Sequence, residues 1–168
     1  MNKMREVQIE KVTVNIGVGE GGEKLQSCLN LISKMSGRKA VRTAARVRNL
    51  VFKIKKGDPI GAKVTLRKKD SEEFLRKALE AVDKKVSSGA FDRYGNFSFG
   101  VREYIDFPGI KYDPKLGIVG FDVCVTLKRR GWRVKDRRRG RNRIGRKHRI
   151  TKDEGIAFAK DVLGVEIG

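Results

Sequence analysis

The chain reads as an α+β fold: a largely antiparallel sheet with helices packed on one face, the other face polar and open. Two observations predict it. Every strand-like segment alternates apolar and polar residues, so each has one face for a core and one for something wet. Strands buried on both sides of a parallel sheet would read as unbroken apolar runs. The helical segments are amphipathic and offer that sheet a single apolar stripe each. With 168 residues, no internal repeat and no Pro/Ser linker, residues 1–168 are expected to form one domain.

The elements follow in order. Val12-Thr13-Val14-Asn15-Ile16 alternates strictly and predicts a strand. Leu25, Cys28, Leu29, Ile32 and Met35 recur at helical spacing from about Gly22 to Ser36, and Gly37 supplies a C-terminal stop. Leu50, Phe52 and Ile54 alternate with Val51, Lys53 and Lys55, predicting a second strand; Gly57-Asp58-Pro59 is a turn. Ala62, Val64 and Leu66 mark a third strand. Asp70 with Glu73 forms a capping-box pattern before a helix carrying Phe74, Leu75, Ala78, Leu79, Val82 and Val86, ended by Ser87-Ser88-Gly89. Phe97, Phe99 and Val101 give a fourth strand, and Val119 to Leu127 a fifth. Thr151 with Glu154 caps a last helix through Ile156, Phe158, Ala159, Val162 and Leu163, stopped by Gly164.

On the open face this pattern places Thr13, Asn15, Lys53, Lys55, Lys63, Thr65, Arg67, Ser98, Arg102 and Thr126. Small hydrogen-bonding groups mixed with bases suit a surface pressed on RNA backbone and 2′-hydroxyls, although a plain solvated sheet also favours Thr and Lys.

The net charge is +20, and it is unevenly placed. Lys34 to Lys69 holds 13 bases and one acid; Lys128 to Lys152 holds 14 bases and one acid; the remainder is mildly acidic. Bases concentrated in two segments fit a nucleic-acid partner, whose phosphates are neutralised where they touch. No run of apolar residues is long enough to span a membrane, and no secretory signal is expected. Cys28 and Cys124 lie in apolar-looking segments, which suits a reducing cytosol and buried thiols.

Catalytic and cofactor motifs fare poorly. Gly17-Val18-Gly19-Glu20-Gly21-Gly22 satisfies G-x-G-x-x-G between a strand and a helix. A dinucleotide enzyme built on it is nevertheless rejected. The preceding strand alternates, Glu20 sits where pyrophosphate would lie, and the region that should carry an acidic ribose ligand reads Arg38-Lys39-Ala40-Val41-Arg42. His148, the only histidine, stands among Arg146, Lys147 and Arg149 with no carboxylate to orient it. It reads as one more donor on a nucleic-acid-facing segment. No cluster of carboxylates or Cys/His spacing points to a metal, and no cofactor is expected. A general nucleic-acid-compacting protein would need only one basic tail, whereas two basic segments around a polar sheet face fit a shaped RNA.

The stretch from about 129 to 150 has no apolar period and is Gly-rich, so it is not expected to pack by itself. Its Arg129, Arg130, Arg133, Arg137, Arg138, Arg139, Arg141, Arg143, Arg146, Lys147 and His148 are candidate contacts to nucleic-acid phosphates, arginine favouring bidentate pairing and stacking. Trp132, the only tryptophan, either stacks on a base or packs on the core.

Several long blocks resemble the universal large-subunit ribosomal protein five family. They are Ile9-Glu10-Lys11-Val12-Thr13-Val14-Asn15-Ile16-Gly17-Val18-Gly19-Glu20, then Phe52 to Gly61, then Val64-Thr65-Leu66-Arg67, then Tyr94 to Glu103 running on to Phe107-Pro108-Gly109-Ile110-Lys111-Tyr112-Asp113. The resemblance implies a constituent of the large subunit's central protuberance in the cytoplasmic ribosome. Its implied partners are 5S rRNA, large-subunit rRNA, P-site tRNA and neighbouring ribosomal proteins. The family's RNA-contacting polar group maps to Asn15 and Thr65, with Lys63 and Arg67 beside them. Its third member, usually Gln, falls at Arg38, where a phosphate contact replaces a base-edge contact. The tRNA-side loop maps to about 46–60, with Arg48, Lys53, Lys55 and Lys56. Bacterial members have a longer N-terminal region, and the basic insertion resembles the archaeal and eukaryotic branch; an archaeal source is expected.

Overall fold

A computed structural model describes residues 2–114 and 116–168. Its elements are β1 (Val7–Gly17), α1 (Glu23–Ser36), β2 (Val41–Ala44), β3 (Pro59–Leu66), α2 (Lys69–Glu80), β4 (Lys85–Val86), β5 (Phe97–Val101), β6 (Phe121–Arg129), α3 (Arg133–Asp136), α4 (Lys152–Leu163) and β7 (Glu166–Ile167), with short 3-10 turns between. Five strands form an antiparallel sheet in the order β2-β3-β1-β6-β5. A small parallel pair, β4 and β7, ties the C-terminal residues to the segment after α2.

One face of the sheet is the core. Val12, Val14 and Ile16 from β1, Ala62, Val64 and Leu66 from β3, and Val123, Val125 and Leu127 from β6 are all buried. They share one cluster with Leu25, Cys28, Leu29 and Ile32 of α1, with Phe74, Leu75, Ala78 and Leu79 of α2, and with Ala159 of α4. Alternation and helical spacing thus meet as predicted, and the helices lie on that side.

Local signals settle most ends. Gly37 caps α1 and Gly164 caps α4, both left-handed. Thr151 and Glu154 make the reciprocal capping box at α4. Gly155 in the first turn of α4 lies directly on Gly95; a Cβ there would stand 2.5 Å from the Gly95 Cα, so the helix can seat on that turn only without a side chain.

Four expectations need correction. Residues 50–54 are not a strand. Asn49 and Ile54 form an isolated bridge, and the Asn49 side chain accepts the N–H groups of Val51 and Phe52, which a ladder would have needed. The edge strand is instead β2, a short segment with little apolar signal. The Asp70 capping box does not form: α2 starts at Lys69 after Lys68 with positive φ, and no side chain caps it, because the Asp70 carboxylate is taken by Arg38. That helix ends at Glu80, not near Ser87. Asp83 and Lys84 turn with positive φ, and Val86 is buried in β4 instead. Finally, Cys28 is buried but Cys124 is exposed.

Candidate nucleic-acid interface

The uncovered face of the sheet is organised in rows across the strands. Thr65 of β3 stands opposite Thr13 of β1, Thr13 opposite Cys124 of β6, and Cys124 opposite Ser98 of β5. Four small side chains thus run across four strands, forming a shallow floor with strands about 4.8 Å apart. The next row is Val41, Lys63, Asn15, Asp122 and Gly100. Asn15 therefore lies between a base and an acid, and it is a diagonal rather than direct neighbour of Thr65. Thr65 and Lys63 are exposed and Asn15 is half-buried. Cys124 and Asp122 escaped the sequence reading of this face, although the alternation of β6 already assigned them to it. Partial desolvation against the sheet, and then the Asp122 carboxylate, push the exposed Cys124 thiol above its ordinary range.

Arg67, just after β3, faces Glu10 at 3.6 Å. Glu10 occupies the irregular step in the β1–β6 register between Ile9 and Lys11. Arg38 is not on the strands. It follows α1, and its guanidinium holds the Asp70 carboxylate at 2.5 Å. Lys53 and Lys55 are not on the sheet either; they belong to the loop between β2 and β3.

That loop is a closed turn on a stem. Ala45 and Asp58 pair through their backbones, Gly57 donates back to Ala45, and Lys55 N–H donates to the Asp58 carboxylate at 2.7 Å. Its tip presents Leu50, Val51 and Phe52, each more than 70% exposed, among the exposed bases Arg48, Lys53, Lys55 and Lys56. The Gly-rich turn after β1 is occupied internally: Val18 and Gly19 both donate their N–H groups to the Ile60 carbonyl, so these donors are not free to cradle a phosphate.

The basic insertion is folded back, contrary to the expectation that it would not pack by itself. Asn142 N–H donates to the Val134 carbonyl, Arg137 Nε donates to the Gly140 carbonyl at 2.7 Å, and Ile150 is buried. His148 Nε2 lies 2.8 Å from the Arg130 carbonyl, clipping the two ends of the insertion together. One ring nitrogen is thereby committed to the protein. Arg129 is a correction. It is buried, its guanidinium donates to the Glu154 carboxylate at 2.5 Å and towards the Arg149 carbonyl, and it cannot reach a phosphate. It joins the end of β6 to the cap of α4. Arg130 is exposed, 3.5 Å from Glu6. Arg133, Arg137, Arg138, Arg139, Arg141, Arg143, Arg146 and Lys147 are exposed. Between this insertion and the sheet lies a cleft of about 850 Å³. Trp132 lines it half-buried and outside the core cluster.

Among the described residues no group of His, Cys, Asp and Glu could hold a metal ion, and no helix is long and apolar enough to cross a membrane. A helix-backed sheet with one bare polar face, flanked by two basic segments, is the arrangement that suits a nucleic-acid-binding protein. Residues 2–55 match the family model for ribosomal protein L5, and residues 59–158 match the separate model for the C-terminus of the same ribosomal family. The chain belongs to the ribosomal protein L5 family and is of its archaeal type. It is 48% identical to the large ribosomal subunit protein uL5 of Sulfurisphaera tokodaii, over 99% of this chain and 95% of that one. It is also 48% identical to the uL5 of Sulfolobus acidocaldarius (99% and 93%), and 47% identical to that of Methanococcus maripaludis strain C5 (98% and 92%). As a member of this family it is a structural, rRNA-binding constituent of the cytoplasmic ribosome.

Proposed function

We propose that the chain binds 5S rRNA in the central protuberance of the large subunit through its open sheet face, and reaches P-site tRNA with the loop at 46–60. The bare row Thr65, Thr13, Cys124 and Ser98 carries this reading. Short side chains let an RNA backbone approach the strands closely, and the neighbouring row offers Lys63 for phosphate and Asn15 and Asp122 for hydroxyl or amino groups. Arg67 continues the open face just past the end of β3, and Arg38 stands off the strands after α1; each must loosen its hold on Glu10 or Asp70 to take a phosphate. The exposed bases of the insertion add contacts to large-subunit rRNA, and the remaining surface meets neighbouring ribosomal proteins.

Cys124 makes the face testable without a mutation. Its thiol is exposed in the middle of the floor, whereas Cys28 is buried. Maleimide should label Cys124 in the free protein and spare Cys28. Saturating 5S rRNA should slow Cys124 labelling at least tenfold, read by mass spectrometry. Unchanged labelling of RNA-bound protein would place the RNA elsewhere.

The loop is proposed to act separately, since its bases project from a stem beyond the sheet. Lys55→Ala with Lys56→Ala should leave 5S affinity within about twofold and lower tRNA occupancy of assembled subunits. Equal losses in both assays would make the loop a 5S contact.

A further inference from the structure

The cleft between the insertion and the sheet is not explained by a flat RNA-binding face. We infer that it receives one unpaired nucleotide of the bound RNA, its base against Trp132 and its phosphate against Arg141 and Arg143. This rests on the RNA-binding reading and adds to it a built pocket for a single base.

Four features support the inference. The volume, about 850 Å³, lies in the range of small-ligand sites, too small for a duplex and ample for one nucleotide. The walls bring two aromatic rings, Trp132 and Tyr94, together with Arg141 and Arg143. Flat rings beside cations are what a base and its phosphate require. The Lys135 ammonium sits 5.0 Å from the centre of the Trp132 ring. A lysine on a half-exposed indole is readily displaced, and a base taking its place leaves the ammonium free for the phosphate. Lastly, the walls are held in place. Asp92 accepts the N–H groups of Tyr94 and Asn96, Asn96 accepts from the Leu127 N–H, and Gly155 of α4 seats on Gly95 from behind.

The acids in the walls favour a base over a peptide. Glu10 and Asp136 line the cleft with the bases. An acidic peptide would set its carboxylates against them, whereas a nucleobase can turn exocyclic amino groups to them. Asn142 adds an amide whose oxygen already accepts the Arg143 N–H, leaving its NH₂ for an acceptor on the base.

Trp132 is the only tryptophan of the chain, so its emission reports on this cleft alone. The full chain is titrated with 5S rRNA, following tryptophan fluorescence and filter binding in parallel. Emission should be quenched with the same midpoint as binding. Trp132→Ala should weaken binding about tenfold, and Trp132→Phe, which keeps a ring, should bind within about threefold of the original. Circular dichroism checks the fold, and if the alanine variant unfolds, the wild-type emission and the phenylalanine variant decide. Full-affinity binding with unchanged emission, or an alanine variant that folds and binds normally, overturns the pocket and leaves the RNA-binding face intact. Failure of the unaltered protein to bind 5S rRNA at all overturns both.

Discussion

Glu154→Ala should destabilise the protein by about 3 kcal/mol or more, and Arg129→Met by much less. The asymmetry follows from where the two charges sit. The Arg129 side chain is 7% exposed and that of Glu154 is 43% exposed. Removing the carboxylate strands a buried guanidinium whose Nε already lacks a partner, and it also breaks half of the capping box of α4. Removing the arginine instead leaves Glu154 able to turn to water, still bonded to the Thr151 N–H. In thermal unfolding, the first variant should melt about 10 °C below the second. Equal losses would mean that Arg129 serves only as packing. The pH dependence has a definite sign. Partial burial pushes the Glu154 carboxyl up, but the Thr151 N–H and the Arg129 charge and hydrogen bond together outweigh it, and the group is held below its ordinary value. Its contribution is therefore complete above the ordinary carboxylate range and is lost as pH falls through the lowered value. The gap between wild type and Glu154→Ala should narrow in acid.

The largest expected effect on binding comes from the insertion. Excising residues 135–147 and bridging the gap with glycines removes eight bases and one acid. The fold should survive, because the Arg129–Glu154 pair, the His148–Arg130 clip and the α4 capping box lie outside the cut. Each phosphate that is no longer neutralised lowers the slope of log affinity against log salt by about 0.7–0.9. If half of those bases touch phosphate, the slope should fall by about 3, with affinity lower at every moderate salt concentration. The measurement is a salt titration of rRNA affinity for both proteins, with circular dichroism as the fold control. Coincident slopes for two folded proteins would assign the charge to an acidic protein neighbour.

The sequence carried the sheet and its two faces because alternation is a direct image of the pleat. Val12, Val14 and Ile16 went to the core, and Thr13 and Asn15 to the open face, by a rule that needs no knowledge of neighbours. The terminal helix was equally legible, since Thr151, Glu154 and Gly164 act within a few residues of themselves. What failed were features decided at a distance. Asp70 looked like a cap until Arg38, 32 residues away, took its carboxylate. Arg129 looked like a phosphate contact because it lies inside the basic run that opens at Lys128, yet Glu154 draws it inward. Leu50, Phe52 and Ile54 had the period of a strand, but Asn49 diverted the backbone donors and no partner strand was there. For the site, the residue types were visible and their rows were not. That Thr13 faces Thr65 while Asn15 faces Lys63 is a matter of register, which no single strand encodes.

The position of β1 has a consequence for how the protein is made. This strand is flanked by β3 on one side and β6 on the other, with Val7 opposite Arg129. The two matched family segments, residues 2–55 and 59–158, divide the chain between β2 and β3, so β1 falls in one and both of its partners in the other. Without β1, β3 and β6 have no common neighbour and the sheet has a gap at its middle. During synthesis β1 emerges before both of its partners, carrying the core residues Val12, Val14 and Ile16. It can hold β3 early, but its other edge stays unpaired until the chain has been made past residue 129. Pairing across such a separation is slow and leaves an adhesive edge exposed meanwhile. A nascent chain stalled before that point would be the form of this protein most prone to stick to others.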